Sequence, residues 1–94
     1  MYIDNFTWLL DVIDKIAAKH HVTQNEAEDI FFNSHRYHFV EKGLRTNEDV
    51  YSVTGQTNAG RYLIVFFIRK RNNIALIISA RDMDKKERRR HERK

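Results

Sequence analysis

The chain has 94 residues, a formal net charge of +4, 41% hydrophobic residues and no cysteine. That length makes one small domain, residues 1–94, with one modest core, and the missing cysteines exclude disulfides and thiolate metal centres. No stretch reaches the ~18 apolar residues of a membrane span, and no basic-then-apolar leader opens the chain, so a cytoplasmic protein with no membrane partner and a lean towards anionic partners is expected.

Residues 3–8 are β-prone and short, an expected edge strand. Residues 9–20 place Leu9, Val12, Ile13, Ile16 and Ala17 at helical spacing, an amphipathic helix. Lys19, His20 and His21 suit the negative end of its dipole. Thr23 followed by Glu26 fits a capping box, and Ala27, Ile30 and Phe31 give a second helix its apolar stripe, with Asn33 and Ser34 at its end. Residues 36–42 read as a strand and 43–47 as a loop. Residues 49–55 set Val50, Ser52 and Thr54 against Tyr51 and Val53, the pattern of a half-buried strand. Residues 56–60 form a turn. The apolar runs 61–71 and 74–80 read as strands buried on both faces, joined into a hairpin by Asn72 and Asn73, which tolerate positive φ. Arg81 is expected at the sheet rim, where the second strand ends. Asp84 and Glu87 repeat the capping-box spacing and start a basic helix with no apolar face, a helix that needs a partner or a sheet to lie against. Helices segregated from consecutive strands make an α+β domain: a small antiparallel sheet, two N-terminal helices and a basic C-terminal helix.

No metal-ligand spacing, Ser-His-Asp order or glycine-rich nucleotide loop is present, so no metal and no cofactor is expected. His35 and His38 would point to opposite faces of a strand. Lys85, Lys86, Arg88, Arg89, Arg90, Arg93 and Lys94 are suited to RNA phosphates; a solvated tail and a dock for an acidic protein are the alternatives. Glu87 is either a general acid–base group or only a capping residue. His91 lies one helical turn after Glu87, titrates near neutrality, and has flanking arginines that lower its pKa; the alternative is a terminal residue with no role. Trp8 either plugs the core or stacks on a base. The Arg81 guanidinium can make two parallel bonds to phosphate oxygens, or it bridges structurally to Asp82, Asp84 or Glu48.

Trp8, Lys15, Lys19-His20, Val22 and the helix over 23–31 resemble the N-terminal half of the BrnT toxin family. Gly55, the Gly60-Arg61 turn, the apolar strand and above all Ile77-Ile78-Ser79-Ala80-Arg81, followed by a helix containing Glu87, resemble its second half. The resemblance implies a RelE-like ribonuclease fold and a toxin of a type II toxin–antitoxin pair that cuts RNA and stops translation. It also implies a BrnA-like ribbon-helix-helix antitoxin, with operator DNA bound only through the complex of the two. This chain departs from the family pattern at Val50, where an arginine is frequent, at His21 for a glycine and at His91 for a tyrosine. Arg61 or Arg69 is the expected substitute for the strand arginine.

RNA cleavage without a metal needs a base for the 2′-hydroxyl proton, an acid for the leaving oxygen and a cation beside the phosphate. Lys19, His20, Arg81 and His91 form the expected catalytic set. Arg61, Arg69, Lys85, Lys86, Arg88, Arg89 and Arg90 form the expected RNA-binding set. A non-catalytic BrnT-like module that holds a partner protein or nucleic acid is the alternative, and Val50 is the residue that favours it.

Overall fold

The computed structural model describes residues 1–93; Lys94, the last cation of the basic run, lies outside the described residues. The elements run β1 (Asn5–Thr7), α1 (Leu10–His20), α2 (Gln24–Phe32), β2 (His35–Glu41), β3 (Val50–Gln56), β4 (Tyr62–Lys70), β5 (Ile74–Asp82) and α3 (Lys85–Glu92). This is the expected α+β arrangement. The five strands form one sheet in the order β1-β5-β4-β3-β2. Strands β2 to β5 are an antiparallel meander. β1 departs from the antiparallel expectation: it pairs parallel to β5, Asn5 opposite Ile74, so the sheet is mixed. Its partner lies near the other end of the sequence, where no local hairpin signal reports direction.

The helices form where their apolar residues repeat. Ile16 of α1 and Ala27, Ile30 and Phe31 of α2 pack on Val53, Leu63, Val65, Phe67, Ala75 and Ile77 of the sheet. The Phe31 ring meets Phe6 edge-on at 4.9 Å and Phe67 at 5.4 Å, a favoured aromatic geometry. At Gly55 a Cβ would stand 3.0 Å from Cβ of Ile30, so glycine allows β3 to pass close beneath α2. The capping box of α2 is complete: Thr23 accepts from the Glu26 N–H, and Glu26 accepts from the Thr23 N–H. α1 ends on His21, which adopts the left-handed conformation at φ 54°, a place where glycine costs least.

The terminal hairpin turns through Asn72 and Asn73, at φ 62° and 60°. β5 runs further than the apolar run suggests. Arg81 is not beyond the strand but within the last rungs of its ladder, opposite Ile64. α3 starts on its own capping box, Asp84 with Glu87, and buries no residue. It lies across the sheet face that α1 and α2 leave uncovered, because the groups it contacts, Thr54, Tyr62 and Arg81, alternate with the core positions. None of the helices among the described residues is long and apolar enough to cross a membrane.

Candidate active face of the sheet

Period-two alternation gives the second face a polar character. Registers align its residues into two rows across four strands. One row is Arg36, Thr54, Ile64 and Arg81; the next is His38, Ser52, Phe66 and Ser79. Neighbouring strands lie ~4.8 Å apart, so Thr54 and Arg81 are separated by roughly 10 Å. Ser52 and Thr54 are only 4% and 3% exposed. The half-buried reading of this strand is therefore corrected: β3 is central, and α3 covers its polar side. A cleft of about 250 Å³ between α3 and this face is lined by His38, Phe39, Val40, Ser52, Thr54, Ile64, Phe66, Glu87 and Arg90.

α3 is held to the face by polar contacts. Arg81 Nη1 and Nη2 donate to the two Glu87 carboxylate oxygens at 2.7 and 2.8 Å, and Nη1 also donates to the Asp82 carbonyl at 3.1 Å. The bridge thus goes to Glu87, not to Asp84, Glu48 or the Asp82 carboxylate. Hydrogen bonds from Arg81 and from the Asp84 N–H hold Glu87 below the usual carboxylate range, so it is an anion at neutral pH. This end-on fork leaves the Nε–Nη2 edge of Arg81 without a protein partner among the described residues. The guanidinium carbon stands 5.6 Å from the Phe66 ring centre, within the range of a cation–π contact.

His91 is anchored through Nδ1 to Thr54 Oγ1 at 2.8 Å, and Nε2 has no partner among the described residues. Its pKa is lowered, as its arginine-rich surroundings suggest, but burial is the main cause and Arg36 of β2 the second, with Glu92 opposing. His38 is also lowered, by burial first and then by Arg90, Arg36 and His91. Arg36 and His38 were missed in the sequence as functional candidates. The available signal was parity: Arg36 and His38 alternate in β2 as Ser52 and Thr54 do in β3, but only the register joins the two pairs. Val50 has the same parity as Ser52 and Thr54, so an apolar side chain occupies that place on this face.

The remaining expected residues are distributed unevenly. Lys19 and His20 sit at the end of α1, on the helical layer over the opposite face, and their side chains make no hydrogen bond or ion pair among the described residues. α1 packs on the other side of the sheet from α3, so Lys19 and His20 stand on a different layer from His91, although the Arg61 guanidinium joins the His20 carbonyl to Asp82, the neighbour of Arg81. Arg61 is fully occupied. Nε and Nη2 donate to the Asp82 carboxylate at 2.7 and 3.2 Å, Nη2 also to the His20 carbonyl at 2.9 Å, and Nη1 to the His21 carbonyl and Glu26 at 2.7 and 3.2 Å. All five donors of the guanidinium are taken, so no fork remains for a phosphate.

Arg69 stands at the opposite end of β4, opposite Ala75 and five residues from Ile64, roughly 17 Å along the strand. On α3, Arg88 lies 3.9 Å over the Tyr62 ring and donates to Glu92 at 2.9 Å. Lys85, Lys86, Arg89 and Arg90 are exposed and have no protein hydrogen-bond partner among the described residues, so their charge faces outward beside the cleft. No cluster of three or more His, Asp or Glu side chains able to hold a metal ion occurs among the described residues.

The face beneath α3 thus carries His38 in the cleft, His91 bonded to Thr54 of the cleft wall, the Arg81 guanidinium paired to Glu87 of the same wall, and exposed cations beside them. A family model described as ribonuclease toxin, BrnT, of type II toxin–antitoxin systems matches residues 13–87, most of this chain. No curated protein matches it.

Proposed function

Because the chain belongs to the BrnT family of ribonuclease toxins of type II toxin–antitoxin systems, we propose that it cleaves single-stranded RNA on the sheet face beneath α3. One observation supports this above others: Arg81 and His38 stand in adjacent rows of one face, and His91 of α3 is bonded to Thr54 of the Arg81 row, next to unpaired cations.

The scissile phosphate lies against the free Nε–Nη2 edge of Arg81. Both imidazoles have lowered pKa values, mainly through burial, so one can be neutral while the other carries a proton; His38 is assigned the base and His91 the acid. Nε2 of His38 takes the 2′-hydroxyl proton while the 2′ oxygen bonds to phosphorus. The bond from phosphorus to the 5′ oxygen breaks, and protonated His91 gives that oxygen its proton. The products are a 2′,3′-cyclic phosphate and a 5′-hydroxyl. Arg81 and Arg36 neutralise charge that grows on the phosphate, the kind of preorganised stabilisation that contributes most in such steps.

The wider reading follows from the family. The RNA loss halts translation, an antitoxin of BrnA-like ribbon-helix-helix type neutralises the toxin, and operator DNA is reached only through that complex. An acidic antitoxin segment is suited to the outward cations of α3, where it would exclude RNA. The α+β arrangement, with its candidate residues on one sheet face, supports kinship with RelE-like ribonucleases. The non-catalytic reading has one observation in its favour: Glu87 already fills the end-on fork of Arg81.

The test is cleavage of a labelled single-stranded RNA by the purified protein. Arg81→Lys should reduce cleavage on the order of a hundredfold, because a point charge cannot reproduce the planar edge. The thermal midpoint should move little. His38→Gln and His91→Gln should each lower cleavage by about 10²–10⁴-fold with RNA affinity retained. With both working pKa values lowered, cleavage should peak on the acid side of ~6.5. Undiminished cleavage by all three variants would reject the site, and no cleavage by the unaltered protein would favour the binding module.

A further inference from the structure

A larger groove than the cleft lies away from the candidate site. It lies at the far end of the sheet, has a volume of about 640 Å³, and is framed by the β2–β3 loop and the β4–β5 turn. Lys42, Arg45, Arg69, Lys70 and Arg71 all line it. None of these five cations has a hydrogen bond or ion pair to protein among the described residues. The one carboxylate in the lining, Asp49, already accepts from the Gly43 N–H at 2.9 Å.

Five like charges gathered around one groove repel one another, and the single Asp49 carboxylate in the lining offsets them only in part. The loop that presents them is nevertheless built to a definite shape. At Gly43 a Cβ would fall 2.4 Å from the Glu48 carbonyl oxygen, so only glycine permits that close pass. Asn47, Asn72 and Asn73 all take positive φ, turning the loop and the hairpin sharply at the groove. Tyr51, half-buried with its ring stacked on Phe67, also lines the wall.

We propose that this groove is a second anion site, which binds the sugar–phosphate backbone of RNA several nucleotides from the cut. The inference rests on the ribonuclease reading above. Arg69 lies five residues from the Arg81 row along the ladder, roughly 17 Å at ~3.4 Å per residue, and this odd step, with Arg69 opposite buried Ala75, turns its side chain to the other face, so RNA that reaches both places must wrap round the end of the sheet. A strand covers the roughly 17 Å along the sheet in about five nucleotides at a rise of ~3.4 Å, and needs more to pass round the sheet end. RNA long enough to reach both places is therefore held at both, while a very short oligonucleotide touches only the cleft.

The experiment compares the unaltered protein with the triple variant Arg45→Gln/Arg69→Gln/Arg71→Gln. All three side chains are exposed and unpaired, so the melting curve should be unchanged. The probes are single-stranded oligonucleotides of about 4 and about 16 nucleotides. Each is made as cleavable RNA and as an uncleavable 2′-O-methyl form. For the longer probe, the variant should bind more weakly, with a log–log salt slope shallower by ~0.7 for each phosphate the groove no longer neutralises, and KM should rise with kcat unchanged. For the shorter probe, binding and cleavage should match the unaltered protein. Equal affinity and equal salt slope for the longer probe would overturn the second site while leaving the ribonuclease reading intact. Failure of the unaltered protein to bind or cleave either probe would overturn both together. A variant that keeps RNA affinity but loses a co-expressed antitoxin would assign the groove to a protein partner instead.

Discussion

Helices α2 and α3 start with the same device and are then held in opposite ways. Each opens on a reciprocal capping box, Thr23 with Glu26 and Asp84 with Glu87. α2 goes on to bury Ala27, Ile30 and Phe31, whereas α3 buries nothing. α3 rests instead on a two-point ion pair to Arg81, one hydrogen bond to Thr54 and a cation over Tyr62. Burial of apolar area is indifferent to salt and pH, while partly exposed ion pairs contribute ~0–1 kcal/mol and are screened. α2 therefore stands or falls with the whole fold. α3 is expected to leave the sheet while the fold stays, which would uncover the polar face. Local helix signals say where a helix begins, but not what holds it down.

The sharpest break in this comparison comes from removing the α2 anchor. Phe31→Ala takes away a buried ring that meets Phe6, Tyr37 and Phe67. It should cost about 3–5 kcal/mol, visible as a lower midpoint of global thermal or urea unfolding. No single substitution in α3 should approach that loss.

A matched pair of cap deletions sharpens the contrast. Thr23→Ala and Asp84→Ala each remove a side-chain cap of the same kind, worth ~1 kcal/mol. The first should lower the global midpoint. The second should leave it in place and only speed amide exchange across α3, since that helix opens on its own. Equal shifts in global stability would show that α3 is as firmly integrated as α2.

The smallest effect is a dependence on pH that belongs to the α3 side. His38 and His91 both have pKa values below the ordinary imidazole value. Below ~6.5 the unfolded chain takes up protons that the folded face resists. Their contribution is thus complete above that value and is lost as the pH falls through it. The melting temperature should drop between about pH 7.5 and pH 5.5, and the double variant His38→Gln/His91→Gln should flatten the drop. Core substitutions in α2 should leave that slope unaltered.

What was legible in the sequence was whatever a short window determines. The stripe of α2, both capping boxes and the Asn72-Asn73 turn depend on residues within a few positions of one another, and they are found as expected. The parallel seat of β1, the extension of β5 through Arg81 and the face on which α3 lies depend on register between distant segments. The candidate site divides the same way. Arg81 and His91 stood out by residue type and neighbourhood. His38 and Arg36 gain meaning only from their rows with Ser52 and Thr54. Arg61 reads as an available cation until the end of α1 and Asp82 are brought to it.

That arrangement at Arg61 has a consequence for the order in which the chain folds. Its partners Asp82, Glu26, His21 and His20 lie 21, 35, 40 and 41 residues away. Contacts of such separation close large loops, so they form after the hairpins and helices are in place. Arg61 is then expected to act as a latch that shuts late, on the downhill side of the folding barrier. Interactions made after the transition state govern how slowly a protein comes apart far more than how fast it assembles. Loss of the latch should shorten the lifetime of the folded molecule and leave its refolding rate almost untouched.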